Sequence, residues 1–214
     1  MKRLFTLLIA TVLACTAISA QEAEIREAAK RYKNITSLVT DVTQTRHNVA
    51  IADDEVIKGH FYFKNPNQLS MVFADDKEML LALGDTFTKV NDGKKNTLKA
   101  KGKGNNPFET IREVFYNLLT VQENNAPITD IADVKMEKRD ASTAILTITP
   151  IAKGAKAKRR MMFTSCEATI DLKTAELRTL RINERGENYT QFDFSNYQLN
   201  ATVADNVFDP QCVL

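Results

Sequence analysis

The chain has 214 residues, of which 43% are hydrophobic, and its 29 Lys and Arg residues nearly balance its 27 Asp and Glu residues. The net charge of +2 falls to 0 if residues 1–20 are removed, because that segment holds Lys2 and Arg3 and no acidic residue. The slightly basic pI therefore does not indicate nucleic-acid binding, and we expect no nucleic-acid partner. The remaining length is sufficient for one domain with a substantial core.

The N-terminus has the pattern of a secretory signal peptide. Lys2 and Arg3 precede the apolar run 4–13, which is too short to span a bilayer, and small residues follow as far as Ala20. Cleavage after Ala20 would divide the chain into a signal peptide, residues 1–20, and a single domain, residues 21–214. The pattern predicts an exported protein that is free in the compartment beyond the membrane.

An alternative interpretation of the same segment concerns Cys15. Residues 12–15 read Val-Leu-Ala-Cys, which is similar to the motif at which a lipoprotein is cleaved and acylated. Acylation of Cys15 would anchor the protein to a membrane, whereas signal-peptide cleavage after Ala20 would release it.

Two cysteines, Cys166 and Cys212, remain after the predicted signal peptide. An isolated pair in an oxidising compartment suits a disulfide that would tie the last residues to a strand. The alternative is two free thiols. A metal site is not expected, because the two cysteines and the two histidines are far apart in sequence.

The clearest pattern in the chain is a hairpin over residues 56–73. Phe61 and Phe63 alternate with polar neighbours in its first half, and Leu69, Met71 and Phe73 alternate in its second. Successive side chains of a strand point to opposite faces, so the hairpin has one apolar face and one polar face. The residues 65–68, Asn-Pro-Asn-Gln, suit the turn between the strands.

The rest of the chain alternates helices with blocks of short strands. A helix is predicted over residues 22–33 and an amphipathic helix from Pro107, which Asn106 can cap. Residues 94–106 are predicted to be a flexible lysine-rich and glycine-rich loop. The fold class is α+β, with one strongly curved antiparallel sheet. Strands are predicted over 38–47, 79–83, 86–90, 133–138, 143–149, 160–163, 166–172, 176–183 and 189–194.

The residue types that support catalysis are sparse. His47 and His60 are the only histidines, and neither has a nucleophile or carboxylate at motif spacing. The sequence also lacks a glycine-rich phosphate loop and the HExxH zinc motif. We therefore expect no enzyme activity and no cofactor.

Four segments resemble the periplasmic outer-membrane lipoprotein carriers of the LolA family. Residues 35–44 resemble the family's early strand, and residues 59–67 resemble its aromatic strand followed by a Lys-x-Pro-Asn corner. Residues 105–108 resemble the start of its middle helix, and residues 196–210 its closing segment. The order of these segments covers nearly all of the predicted domain. The family often has Arg before the corner proline, where this chain has Asn65.

The resemblance implies an incomplete β-barrel with a helical lid, in which an apolar cavity holds the acyl chains of a lipoprotein in the periplasm. It implies loading by an inner-membrane ABC lipoprotein-releasing complex and delivery to an outer-membrane acceptor, and we expect a monomer. The alternatives are a carrier of another amphiphile, such as a glycolipid, and a sensor of envelope stress that binds lipoproteins.

Apolar periodicity alone indicates a packed core, and the resemblance is what favours a ligand cavity. Mixed Phe, Leu and Met side chains suit a wall that accepts disordered chains. The residues predicted to line the cavity are Ile57, Phe61, Phe63, Leu69, Met71, Phe73, Leu81, Phe108, Ile111, Phe115, Leu118, Leu146, Ile148, Ile170, Phe192 and Phe194.

Overall fold

The computed structural model describes residues 24, 26–28, 30–32, 34–99, 106–120, 128–152, 154–161 and 163–214. The predicted signal segment, including Cys15, lies outside these residues. The described strands form one curved, unclosed antiparallel sheet in the order β6-β5-β4-β3-β2-β1-β11-β10-β9-β8-β7. The strands are β1 (Ser37–His47), β2 (Glu55–Lys64), β3 (Gln68–Phe73), β4 (Glu78–Leu83), β5 (Thr86–Asn91), β6 (Lys94–Lys99), β7 (Ala132–Lys138), β8 (Thr143–Pro150), β9 (Ser165–Asp171), β10 (Leu177–Asn183) and β11 (Tyr189–Leu199).

The predicted hairpin is present as β2 and β3. Phe61 lies opposite Met71 and Phe63 lies opposite Leu69, so the apolar residues of the two strands share one face. The β5–β6 turn at Asp92 and Gly93 has positive φ angles of 49° and 70°, which are typical of a tight hairpin turn.

The first strand lies in the middle of the sheet. It pairs with β2 on one side and with the last strand, β11, on the other. Strand β1 therefore joins the two strand blocks, β2 to β6 and β7 to β11, into one continuous sheet.

One face of the sheet, which we call the inner face, carries the larger apolar cluster. Helix α1 (Pro107–Thr120) buries Ile111 and Val114 in this cluster. The helix begins as predicted, because the Asn106 side chain accepts a hydrogen bond from the Phe108 N–H at 2.9 Å. Residues 24, 26–28 and 30 are also helical, and Ala28 joins the same cluster. No helix among the described residues has both the length and the apolar character needed to cross a bilayer.

Two local predictions were wrong. Residues 94–99 form the edge strand β6 rather than a loop, and all six of their side chains are exposed. A strand that buries neither face has no apolar alternation to detect. The predicted strand over 160–163 is not formed, and residues Ala155–Arg160 form a short helix, α2, instead. Met161 and Phe163 are buried as single residues of the connection to β9.

The opposite face of the sheet, the outer face, is covered in part by the end of the chain. Two 3₁₀ turns, Asp205–Phe208 and Pro210–Cys212, follow β11. Phe208 and Val213 pack there against strands β4 and β5 in a second, smaller cluster. We call this the outer cluster, and its strand members are Met79, Leu81 and Val90.

The predicted disulfide is not formed. Cys166 is buried on the inner face of β9, and Cys212 is exposed in the last 3₁₀ turn beside the outer cluster. Both thiols are free because they lie on opposite faces of the sheet. Burial raises the pKa of the Cys166 thiol, and the nearby Glu167 carboxylate raises it further.

Candidate functional site

The inner face brings together most of the residues predicted to line a cavity. Twelve of the sixteen contribute to the single inner-face cluster, although they come from five strands and one helix. Phe61 and Phe194 meet edge to face with ring centroids 5.8 Å apart. The twelve residues are Ile57, Phe61, Met71, Phe73, Phe108, Ile111, Phe115, Leu146, Ile148, Ile170, Phe192 and Phe194.

The prediction for Leu81 was wrong. Leu81 belongs to the outer cluster beneath the chain end, and its neighbour Leu80 faces inward opposite Met71. The run Met79-Leu80-Leu81-Ala82 is apolar on both faces because both faces of β4 are covered. The Leu118 side chain lies outside the described residues.

Opposed residues form rows across the inner face of β1 to β4. One row contains Phe61, Met71 and Leu80, and the next contains Phe63, Leu69 and Ala82. Phe61, Phe63, Leu69 and Leu80 are each only partly buried. The two rows therefore form an apolar patch that is partly exposed to solvent, which we call the open patch.

The inner face of β8 and β9 is different. The inward side chains of Ala144, Leu146, Ile148, Cys166 and Ala168 are completely buried. These residues form a closed core, and solvent does not reach them.

Helix α1 lies between these two regions. Phe108 contacts Phe192 of β11, with ring centroids 6.2 Å apart. The Arg112 guanidinium lies 5.3 Å from the centre of the Phe87 ring and donates hydrogen bonds to the Gly84 carbonyl and, at 3.0 Å, to Asp85. The helix is thus fixed to the sheet centre near its start and to the β4–β5 hairpin one turn later. That this helix opens as a lid stays a prediction.

The inner face also carries a charged cluster that the sequence pattern did not predict. Arg46 donates hydrogen bonds to Glu55 and Glu78, each at 2.9 Å, and Glu78 is buried. With its amide oxygen turned toward the guanidinium, Gln44 accepts from Arg46 Nε at 2.8 Å. Burial lowers the pKa of Arg46, but the hydrogen bonds and negative charges of Glu78 and Glu55 outweigh it, so the net pKa is raised. The guanidinium therefore stays charged.

The fold and the inner face define a class of protein: one curved, open antiparallel sheet whose apolar face is partly covered by a helix. Within that class, the family described as "Outer membrane lipoprotein carrier protein LolA" matches residues 33–211. The match spans most of the chain, and the protein belongs to this family. No curated protein sequence matches the chain at a significant level.

Solved structures with a similar arrangement share little sequence with this chain. A DUF1329 family protein from Desulfovibrio piger has a TM-score of 0.48 and 11% identity, over 92% of this chain and 99% of that protein. A putative outer membrane lipoprotein-sorting protein domain from Vibrio parahaemolyticus has a TM-score of 0.47 and 11% identity, over 90% and 96%. The Mycobacterium tuberculosis lipoprotein LppX has a TM-score of 0.42 and 19% identity, over 86% and 97%.

Proposed function

We propose that this protein is a periplasmic chaperone that holds lipoprotein acyl chains on its inner face and carries them from the inner to the outer membrane. The observation that supports this proposal is the open patch, which leaves Phe61, Phe63, Leu69 and Leu80 partly exposed beside buried neighbours. Contiguous exposed apolar area of this kind is typical of a binding surface. Because the family is described as lipoprotein carriers, we assign lipoprotein acyl chains as the ligand of this patch.

The energetics of acyl chains fit a surface that is only partly enclosed. Burial of a methylene group contributes about 0.8 kcal/mol, so complete enclosure of long chains would make release slow. Helix α1 packs its own apolar residues on the same face, and this packing competes with the ligand for the cluster. In this proposal an inner-membrane ABC complex loads the protein, and an outer-membrane acceptor removes the cargo.

The first experiment identifies the bound ligand. The full chain is expressed in a host that exports it, purified from the periplasm, and analysed by intact mass and lipid extraction. We expect a mature N-terminus at Gln21 and co-purified acylated lipoprotein. A co-purified glycolipid would indicate a carrier of another amphiphile, and an acylated Cys15 would indicate a membrane-anchored protein. If no ligand co-purifies and the purified protein takes up no apolar fluorescent dye, the proposal is contradicted.

A matched pair of variants on β2 tests the site. Phe63 is half buried in the open patch, whereas Val56 is 54% exposed on the outer face of the same strand. We expect Phe63→Gln to weaken binding of an acylated lipopeptide about tenfold, because a large apolar contact of about 1.5 kcal/mol is lost. Val56→Gln should bind normally. Equal affinities for the two variants would exclude the open patch as the binding surface.

A further inference from the structure

The inner face of β1 and β2 changes from apolar to charged along the strands. Its inward positions on β1 are Leu38, Thr40, Val42, Gln44 and Arg46, and Arg46 lies opposite Glu55 of β2. Six residues separate Leu38 from Gln44, a length of about 20 Å at about 3.4 Å per residue. A largely apolar strip of that length, interrupted by the buried Thr40 and Gln44, therefore ends at a charged row.

Solvent exposure falls from the Asn65–Pro66 corner toward the middle of this face. Phe63 and Leu69, in the row of Leu38, are half exposed. Ile57 and Phe73, near the charged row, are 6% and 0% exposed. This face is thus most open at the Asn65–Pro66 corner and buried at Ile57 and Phe73. Beyond them the charged row is partly exposed again, with the Arg46 and Glu55 side chains 22% and 59% exposed.

The charged row has a complete set of partners. The Arg46 guanidinium bonds Glu55, Glu78 and the oriented Gln44 amide, and the Glu78 side chain is 9% exposed. A buried ion pair of this kind is often no more stable than an apolar pair of the same volume, so its presence calls for another explanation. The ion pair excludes a neighbouring alkyl chain, because a methylene group cannot replace any of these hydrogen bonds.

We propose that the Arg46–Glu78 ion pair is a specificity-determining floor that sets the longest acyl chain the inner face accepts. The inference rests on the proposed function, because it assigns a selectivity to the same binding surface. An acyl chain enters at the corner with its polar end in solvent, and its methyl end stops at the ion pair.

The test uses a variant that replaces both charges together, Arg46→Met with Glu78→Leu, so that neither buried charge is left without its partner. The probes are saturated fatty acids from decanoic to eicosanoic acid, which displace an apolar fluorescent dye. For the wild-type protein we expect affinity to rise about fourfold per added methylene and then to reach a plateau. In the double variant the plateau should move to longer acids.

Two control variants test whether a shift of the plateau is specific to the Arg46–Glu78 ion pair. Arg178→Met with Glu176→Leu removes a second ion pair, 2.9 Å long and located on the surface, and should keep the wild-type plateau. Arg46→Lys keeps the positive charge at the floor, so this variant should also show the wild-type plateau. Circular dichroism confirms that each variant is folded.

The outcomes distinguish the two proposals. A double variant with the wild-type plateau, or a wild-type protein without any plateau, overturns the floor and leaves the carrier function standing. A wild-type protein that binds none of the acids, with no bound lipid after purification, overturns both. A plateau that moves only in the Arg46–Glu78 double variant supports the floor.

Discussion

The inner face has two apolar regions that differ in packing. Strands β8 and β9 bury Ala144, Leu146, Ile148 and Ala168 completely, and solvent reaches none of them. Strands β2 to β4 present Phe61, Met71 and Leu80 in one row, two of them half exposed. Both regions are apolar and antiparallel, so apolar periodicity alone does not distinguish them.

This difference indicates that one region of a single sheet can stabilise the fold while another region of the same sheet binds a ligand. Burial of a side chain contributes to folding only if that side chain is removed from water without a ligand. The closed core of β8 and β9 meets this condition, and the open patch meets it only in part. Substitutions in the closed core should therefore change stability, and substitutions in the open patch should change binding.

The largest expected effect lies in the closed core. Leu146→Ala should lower the free energy of unfolding by about 3 kcal/mol, because it leaves a cavity at a fully buried site. The matched control is Leu98→Ala on the edge strand β6, where the leucine is 50% exposed and a change below about 0.5 kcal/mol is expected. Urea denaturation measures both, and similar losses for the two leucines would contradict the distinction.

A smaller effect is expected beneath the open patch. A Cβ atom added at Gly59 would lie 2.1 Å from the Val72 carbonyl oxygen and 2.8 Å from the Phe73 ring. Gly59→Ala should therefore cost about 2 kcal/mol, because strands β2 and β3 must move apart. Lys58→Ala, at the exposed neighbouring position, is the control. An unchanged unfolding midpoint for Gly59→Ala would show that this part of the sheet is loosely packed.

The smallest effect is a pH dependence at the edge of the closed core. Tyr32 packs against the inner-face cluster, where burial and then the Glu176 charge raise its pKa from 10.0 to about 12. The folded protein holds the phenol proton to higher pH than the unfolded chain does. Stability should be unaffected below pH 10 and should fall as the pH rises toward about 12. Tyr32→Phe should reduce this slope, and an identical slope would contradict the assignment.

Much of the fold could be predicted from periodicity. The alternation over residues 56–73 correctly predicted both strands, their turn and the inward direction of Phe61, Phe63 and Met71. Alternation works there because one face of the hairpin is more polar than the other. It failed for β4, whose two faces are both covered, and so the inward residue is Leu80 rather than Leu81.

Other features depend on contacts that no local pattern records. Arg46 and Glu78 are 32 residues apart and meet only because β1, β2, β3 and β4 lie side by side. The opposite positions of Cys166 and Cys212 depend on the path of the chain end over the outer face. Strand β6 was missed because its six exposed residues show no apolar alternation, and pairing with β5 holds it in the sheet.

The central position of β1 has a consequence for folding. Its partner β11 lies more than 140 residues away, as in the pair Arg46 and Thr190. During synthesis the two halves of the sheet cannot join until nearly the whole chain has been made. Such distant pairing raises contact order and slows folding. A chain that completes its sheet this late keeps its two strand blocks unjoined throughout most of its synthesis.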